Sequence, residues 1–140
     1  MSGLPGEDFT VAIDWAAVGI SSLGFDIGQL LASAVKSLDL SLNEAEKLVD
    51  PIFDSYMAGL AEAGWSGNED QVRLTYLACL GMGEAARTTS ILEQASHYPD
   101  PRGLATFFGV AAEGFFLRWA EVLRFFLVYN DKALELSRRL

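Results

Sequence analysis

Apolar residues recur every three to four positions along most of the chain, from Asp26 towards the C-terminus. This spacing is typical of amphipathic helices, whose apolar side chains share one face. Upstream, residues 1–10 contain two glycines and a proline and are expected to form a loop. The apolar run from Val11 to Trp15, β-branched and aromatic at its ends, predicts a strand. The pattern therefore predicts a mainly α-helical bundle with a short N-terminal β-strand or hairpin.

A capping residue places the first helix. The stretch from Gly19 to Gly24 is expected to be a loop. Asp26 is the predicted N-cap of the helix that follows, because its carboxylate can accept first-turn amide hydrogens. This helix is expected to end near Lys36.

Similar signals place the second helix. Ser41, with Glu44 three residues later, has the spacing of a capping box and predicts the start of a helix. Gly64 is expected to end it. Pro51 lies inside the pattern and should kink or split the helix, because proline lacks the amide hydrogen.

Two long helical patterns complete the chain. One opens with Asn68 and acidic residues in its first turn, and Pro99 closes it. The last runs from about Gly103 towards the C-terminus, with a break expected near Asn130. Its charged residues are expected within an arc of about 140° on the helical wheel, and the remaining circumference is apolar. They are Glu113, Arg118, Glu121 and Arg124. This helix is therefore predicted to be central and buried on most sides.

Composition narrows the function classes. The 140 residues suit one domain over 1–140, with 51% hydrophobic residues and a formal net charge of −9. A nucleic-acid-binding protein needs a basic surface to replace phosphate counterions, so this class is excluded. The longest apolar stretch is interrupted by charged side chains, so no membrane span is expected. A mean hydropathy of +0.23 predicts either a large core or an apolar surface that a partner covers.

The single cysteine and the two glycines near it do not indicate a catalytic or ligand-binding site. With Cys79 alone no internal disulfide is possible, which favours a reducing, cytoplasmic compartment. Cys79 lies in an apolar helical stretch and is expected to be a buried, unreactive thiol. Gly81 and Gly83 resemble part of a glycine-rich motif, but no strand precedes them. Close helix packing is the better interpretation of these glycines.

The segment VAIDWAAVGISSLGFDIGQLLA, residues 11–32, combines a strand, a loop and a helix that opens with an acid. Its defining residues are Ile13-Asp14-Trp15, Gly19, Gly24, Asp26 and Gln29-Leu30-Leu31. This arrangement resembles the metal-binding segment of the aminoglycoside phosphotransferase and choline kinase-like superfamily, a branch of the protein-kinase fold. Ser21-Ser22 departs from the Gly-Pro that is common in the family's loop. The match covers about one sixth of the chain.

The resemblance implies roles for two acids. Asp14 would be a ligand of the Mg²⁺ that bridges ATP phosphates in phosphoryl transfer. Asp26 would support the backbone of the catalytic loop. Considered without the resemblance, Asp14 also fits a solvent-facing acid at a strand end, and Asp26 fits a plain N-cap. The helical remainder would be a C-terminal lobe that binds a small molecule carrying the acceptor hydroxyl.

The same resemblance shows what the sequence lacks. The thirteen residues before Asp14 contain neither His nor Asn, so the family's His-Gly-Asp…Asn catalytic loop and its nucleotide lobe are absent. No catalytic, nucleotide-binding or substrate-binding residue is therefore assigned, and the chain alone is expected to be inactive. The expected function is the C-terminal, substrate-binding lobe of an aminoglycoside phosphotransferase-like small-molecule kinase, as a fragment or a truncated gene product. The alternative is a non-catalytic helical interaction or self-association module derived from such a kinase. The expected partner is a second copy of the chain or the missing lobe.

Overall fold

The structure, a computed structural model, describes residues 19–37, 39–83, 85–87, 89–90, 93 and 112–140. Its elements are α1 (Phe25–Lys36), α2 (Leu42–Glu62), α3 (Glu69–Ala78), a π-helical turn (Cys79–Gly83) and α4 (Ala112–Ser137). They pack as a helical bundle, which confirms the predicted mainly helical class. The predicted strand over residues 11–15 lies outside the described residues, and within them there is no strand.

Side-chain caps begin α2 and α3 at the predicted residues. The Ser41 hydroxyl accepts a hydrogen bond from the Glu44 amide, and the Glu44 carboxylate accepts one from the Ser41 amide, which completes a capping box. The Asn68 side chain accepts hydrogen bonds from the amides of Asp70 and Gln71. Both caps satisfy first-turn amides that have no partner within their own helix. The two predicted helix starts are therefore confirmed.

Gly64 follows the end of α2, as predicted. Its φ of +84° lies in the left-handed region, which glycine adopts without strain. The Gly64 amide donates to the Ala61 carbonyl, and the Trp65 amide donates to the Leu60 carbonyl. These two bonds form a Schellman motif, which stops the helix and fixes Trp65 in the turn before α3.

Pro51 does not split α2, contrary to one outcome that the sequence predicts. Proline removes the amide that would bind the Lys47 carbonyl one turn earlier. Lys47 and Pro51 are both exposed, so water can bind that carbonyl and the helix continues.

The break predicted near Asn130 is also wrong, because α4 is continuous from residue 112 to residue 137. Tyr129 and Ala133, on either side of this point, are both buried. The helix therefore keeps its core contacts across Asn130, and these contacts favour an unbroken helix.

The predicted third helix changes geometry after residue 78. Cys79–Gly83 form a π-helical turn, in which backbone hydrogen bonds span five residues. Gly81 is buried there against the backbone of α4. A Cβ at this position would lie 2.2 Å from the Asn130 nitrogen and 2.8 Å from the Tyr129 carbonyl carbon. The prediction that Gly81 serves close helix packing is confirmed.

The core lies where the four helices and the π-helical turn face one another. The rings of Phe53 and Tyr76 stack there with centroids 5.8 Å apart. Cys79 is also buried, as predicted. The largest fully buried side chains are Trp119, Tyr76, Phe53, Phe126, Leu31, Leu80, Val35 and Val122.

The burial of α4 differs from the prediction. Its buried side chains form one stripe with alternating three- and four-residue spacing: Trp119, Val122, Phe126, Tyr129 and Ala133. Elsewhere on its circumference, Leu117 is 72% exposed and Val128 is 50% exposed. α4 is therefore an outer helix with one core face. The prediction failed because apolar residues occupy its solvent side as well. Neither α4 nor any other described helix is long and apolar enough to cross a membrane.

Candidate functional site

The candidate site is the junction at residues 19–26, the described part of the family-like segment that leads into α1. The chain turns where the Phe25 amide donates to the Ser22 carbonyl at 3.2 Å. Gly24 lies in this turn with a φ of +88°, and a Cβ there would be 2.6 Å from the Val72 carbonyl oxygen of α3. This conformation and this close approach together require glycine.

Asp26 is not the N-cap of α1, which corrects the prediction. Gly24 occupies the N-cap position, and no side chain caps the helix. The left-handed backbone of Gly24 makes the turn by itself, so the helix starts one residue before Asp26. The Asp26 carboxylate instead lies exposed in the first turn, where the positive end of the helix dipole favours a negative charge.

The side chain of Tyr56, on α2, lies against this junction. The Gly24 amide donates to the Tyr56 hydroxyl at 3.3 Å, and Asp26 lines the same cleft as Tyr56. Burial raises the pKa of Tyr56 above its ordinary value, the Gly24 amide partly offsets this, and the Asp26 charge raises the pKa further. The phenol therefore keeps its proton at neutral pH.

Two open clefts flank the loop of the junction. The smaller, of about 210 Å³, lies beside Asp26 and Tyr56. The larger, of about 370 Å³, lies between the loop and the turn that joins α2 to α3. Ser22 lines both, so the loop forms a wall that the two clefts share. The larger cleft offers the Trp65 indole and neutral hydrogen-bonding groups, whereas the smaller offers a carboxylate and a phenol.

Asp14, the predicted Mg²⁺ ligand, lies outside the described residues. Within the described ranges, no group of three or more His, Cys, Asp or Glu side chains is arranged to hold a metal ion. Asp26 is the predicted site residue whose surroundings the structure does describe.

Other shifted pKa values in the described ranges have structural causes. Hydrogen bonds with Ser41 lower the pKa of Glu44 at the α2 cap. Burial raises the pKa of Tyr76, whose hydroxyl donates to the Val49 carbonyl at 3.0 Å. Burial also raises the pKa of Tyr129 to about 12. These groups belong to a cap and to the core, and none of them lines the clefts at the junction.

Sequence reasoning missed Tyr56. It follows Phe53 by three positions and Ile52 by four in an amphipathic helix, so the pattern predicts a core residue. The hydrogen bond to Gly24 joins positions 32 residues apart, and no local spacing marks such a contact. The available signal was chemical: a half-buried tyrosine usually brings its hydroxyl to a polar partner.

Comparisons of the chain with protein-family models, with curated proteins and with solved structures found no match. The kinase-like resemblance therefore depends on the motif residues between positions 11 and 32. The structure describes that segment from residue 19 onwards, through the loop and the first two turns of α1.

Proposed function

We propose that the chain is the C-terminal, substrate-binding lobe of an ATP-dependent small-molecule kinase that resembles the aminoglycoside phosphotransferases and choline kinases. The intact enzyme would transfer the γ-phosphoryl group of ATP to a hydroxyl of a small acceptor, with Mg²⁺ neutralising phosphate charge. Asp14 would be the Mg²⁺ ligand, and Asp26 would support the catalytic loop. The bundle of α1 to α4 would provide the rigid lobe that carries both acids.

The arrangement of Asp26 is the observation that supports this proposal. Its carboxylate is exposed, it is not used as a cap, and it lines the same cleft as Tyr56. An acid that supports a neighbouring loop must present an oxygen to backbone amides, which are hydrogen-bond donors. The exposed position of Asp26, next to the cleft of about 210 Å³, leaves its carboxylate accessible to such donors.

A chimera tests the proposal. The nucleotide lobe and catalytic loop of an aminoglycoside phosphotransferase would be joined directly to residues 1–140. We expect ATP-dependent phosphorylation of at least one acceptor in a panel of amino-sugars, choline-like alcohols and sugars. Asp14→Ala should abolish this activity, because the metal then loses its carboxylate ligand. Asp131→Ala, which changes an exposed acid on α4, is the matched control and should leave it unchanged.

The outcome counts only for chimeras that unfold cooperatively and bind ATP. If such a chimera phosphorylates none of the acceptors, the proposed function is wrong. Residues 1–140 alone are expected to be inactive. Phosphoryl transfer by the isolated chain that Asp14→Ala abolishes would contradict the assignment of the catalytic loop to a separate part of the enzyme.

A second candidate function is a non-catalytic module that self-associates. Exposed apolar side chains on α4 favour it. Five large ones, which together form the outer face of α4, are 40–72% exposed: Phe116, Leu117, Leu127, Val128 and Leu134. Covering a half-exposed side chain of this size contributes about 1 kcal/mol, so two copies of the face contribute about 10 kcal/mol. Association costs about 4–15 kcal/mol, so the expected dimer is weak, with a dissociation constant in the micromolar range or above.

Sedimentation equilibrium across micromolar concentrations tests this candidate. Leu117→Glu and Val128→Glu should shift the distribution towards the monomer, because each places a charge on the outer face of α4. Leu30→Glu is the matched control, since Leu30 is 67% exposed on α1. A single species of 15.2 kDa at every concentration would exclude self-association.

A further inference from the structure

The larger cleft beside the loop of the junction, of about 370 Å³, has walls that the fold holds in place. On one side, Gly24 packs so closely on α3 that a Cβ there would be 2.6 Å from the Val72 carbonyl oxygen, which keeps the loop against that helix. On the other side, the Trp65 amide donates to the Leu60 carbonyl at 2.9 Å in the turn after α2. The cleft is therefore formed before any ligand binds, which is usual for small-molecule sites.

Trp65 supplies the aromatic surface of this cleft. Its half-buried side chain packs against the core and also lines the cleft. Gly67 lies against the indole, because a Cβ at this position would be 2.3 Å from Cζ2 and 2.7 Å from Cε2 of the ring. The lack of a side chain at Gly67 therefore leaves the ring its place, where it can cover an apolar face of a ligand.

Polar groups lie beside the indole on one face of α3. Asn68, Gln71 and Thr75 follow one another at intervals of three and four residues, and all three line the cleft. The Asn68 side-chain oxygen accepts from the amides of Asp70 and Gln71, which leaves its NH₂ group as a donor. The Thr75 hydroxyl donates to the Gln71 carbonyl at 3.1 Å, which leaves its oxygen as an acceptor. The Gln71 amide and the Ser22 hydroxyl of the loop can each donate and accept.

The charges around the cleft favour a neutral ligand. Among the described residues that line it, none is charged, so an ammonium group gains no ion pair there. A helix N-terminus otherwise attracts anions, but the Asn68 cap occupies two first-turn amides of α3. Glu69 and Asp70 add two negative charges in the same turn, and the formal net charge of the chain is −9. An anionic ligand is therefore repelled.

We propose that this cleft binds a neutral saccharide, with one sugar ring stacked on the Trp65 indole and its hydroxyls hydrogen-bonded to the polar face of α3. A sugar ring combines an apolar C–H face with hydroxyls that both donate and accept. The cleft offers an aromatic surface with donors and acceptors beside it, which matches both properties. The site goes beyond the proposed function and does not depend on it, because Asp14 and Asp26 take no part in it.

Titration of the full chain with glucose and with maltose, followed by ¹H–¹⁵N NMR, tests the proposal. We expect saturable shifts of the Trp65 indole N–H and of the Gly67 amide, with the indole signal identified by its loss in Trp65→Phe. The dissociation constant should be about a millimolar or above, because an open cleft covers few ligand atoms. Sorbitol, which has the hydroxyls but no ring, should cause no saturable shift. The absence of a saturable shift with both sugars, or an equal shift with sorbitol, would overturn the proposal.

Charged sugars test the neutral character of the site. Glucose 6-phosphate should bind more weakly than glucose. Glucosamine should bind no more than about threefold more tightly, because the acids near the cleft are exposed and screened by salt. A stronger preference for glucosamine, or tighter binding of glucose 6-phosphate than of glucose, would overturn the assignment to a neutral ligand.

Two variants test the two surfaces of the cleft. Gln71→Ala should weaken glucose binding by about three- to tenfold, the factor expected for one hydrogen bond. Asn43→Ala is the matched control, because Asn43 is also an exposed amide in the first turn of a helix but lies outside the cleft. Gly67→Ala should displace the indole and weaken binding by about tenfold. Its free energy of unfolding should change little, since Gly67 is exposed between α2 and α3. Unchanged affinity in either variant would overturn the proposal, as would equal weakening in Asn43→Ala.

Adenosine completes the comparison, because a purine base also stacks on an indole. Tighter binding of adenosine than of either saccharide would assign the cleft to a nucleoside and overturn the proposal. These measurements need neither ATP nor the chimera, so an inactive chimera does not change their result. Failure of saccharide binding, in turn, would leave the proposed kinase function standing.

Discussion

Replacing Gly81 with Ala tests whether the π-helical turn depends on its close approach to α4. The new Cβ would lie 2.2 Å from the Asn130 nitrogen, 2.6 Å from the Asn130 Cα and 2.8 Å from the Tyr129 carbonyl carbon. All three are backbone atoms, so no side chain can rotate away from the clash. To restore an ordinary contact of about 3.5 Å, the turn or α4 must move by about 1 Å.

Overpacking of this kind costs about 1–3 kcal/mol. We expect the upper part of that range, because the movement also loosens the contacts of the buried stripe on α4. The higher helix propensity of alanine offsets up to about 1 kcal/mol. The free energy of unfolding should therefore fall by about 2 kcal/mol. Gly59→Ala is the matched control: Gly59 lies inside α2 with nothing within 4 Å of its Cβ position, so alanine there should stabilise by about 0.5–1 kcal/mol.

Urea unfolding followed by circular dichroism measures both variants. With an unchanged m-value, Gly81→Ala should lower the unfolding midpoint by about 1 M, and Gly59→Ala should raise it by a smaller amount. A midpoint for Gly81→Ala equal to or above that of the unsubstituted protein would refute the close approach of the two backbones. A change in m-value would indicate a different native or denatured state rather than strain at this contact.

Three further predictions concern the cap, the tyrosines and the core. Ser41→Ala should lower the free energy of unfolding by about 1 kcal/mol at pH 7, measured by thermal unfolding. Because folding lowers the pKa of Glu44, its contribution is present above the unfolded value of 4.5 and is lost as the pH falls through the folded pKa. Ser41→Ala should therefore flatten the loss of stability below pH 4.5, and an unchanged acid limb would contradict the cap. Because folding raises the pKa of Tyr76 and that of Tyr129, the latter to about 12, their contributions are complete below about pH 10 and decline above it. Urea midpoints should fall from pH 10 to pH 12, and less steeply in Tyr129→Phe. Phe53→Ala, at a fully buried position, should cost about 3–5 kcal/mol, and a loss below about 1 kcal/mol would show that the site can collapse around the cavity.

The helix starts of α2 and α3 could be predicted from the sequence because a cap is a local interaction. The Ser41 hydroxyl and the Glu44 amide are three residues apart, so their residue types and spacing carry the information. Gly64 is similar, since a left-handed residue at a helix end depends on the glycine itself. The π-helical turn could not be predicted in this way. It depends on how closely Gly81 approaches a helix about fifty residues further along the chain.

Only part of the candidate site could be predicted from the sequence, again because contacts between distant residues leave no local signal. The motif drew attention to Asp26, but the capping rule placed it at the N-cap, because the rule considers side-chain oxygens and not a left-handed glycine two residues earlier. Gly24 takes this position through its φ of +88° and its approach to Val72 of α3. Tyr56 was missed because the Gly24 amide, which donates to its hydroxyl, lies 32 residues away in sequence. The prediction that α4 is buried on most sides was wrong because composition does not distinguish a core face from an exposed one.

The two proposed functions make different demands on the same bundle, and the junction helps to separate them. Self-association through α4 would need its exposed apolar side chains and nothing from the junction. The junction combines a glycine at a left-handed φ, whose amide donates to a half-buried phenol, with an exposed acid that lines the same cleft. Partial burial of a phenol is favourable only when its hydroxyl finds a partner, and phenylalanine would pack on α2 without that requirement. The Tyr56 hydroxyl finds this partner in the Gly24 amide, which is a structural role. The observation that favours the kinase-like proposal over the module is therefore the exposed Asp26 carboxylate beside the cleft.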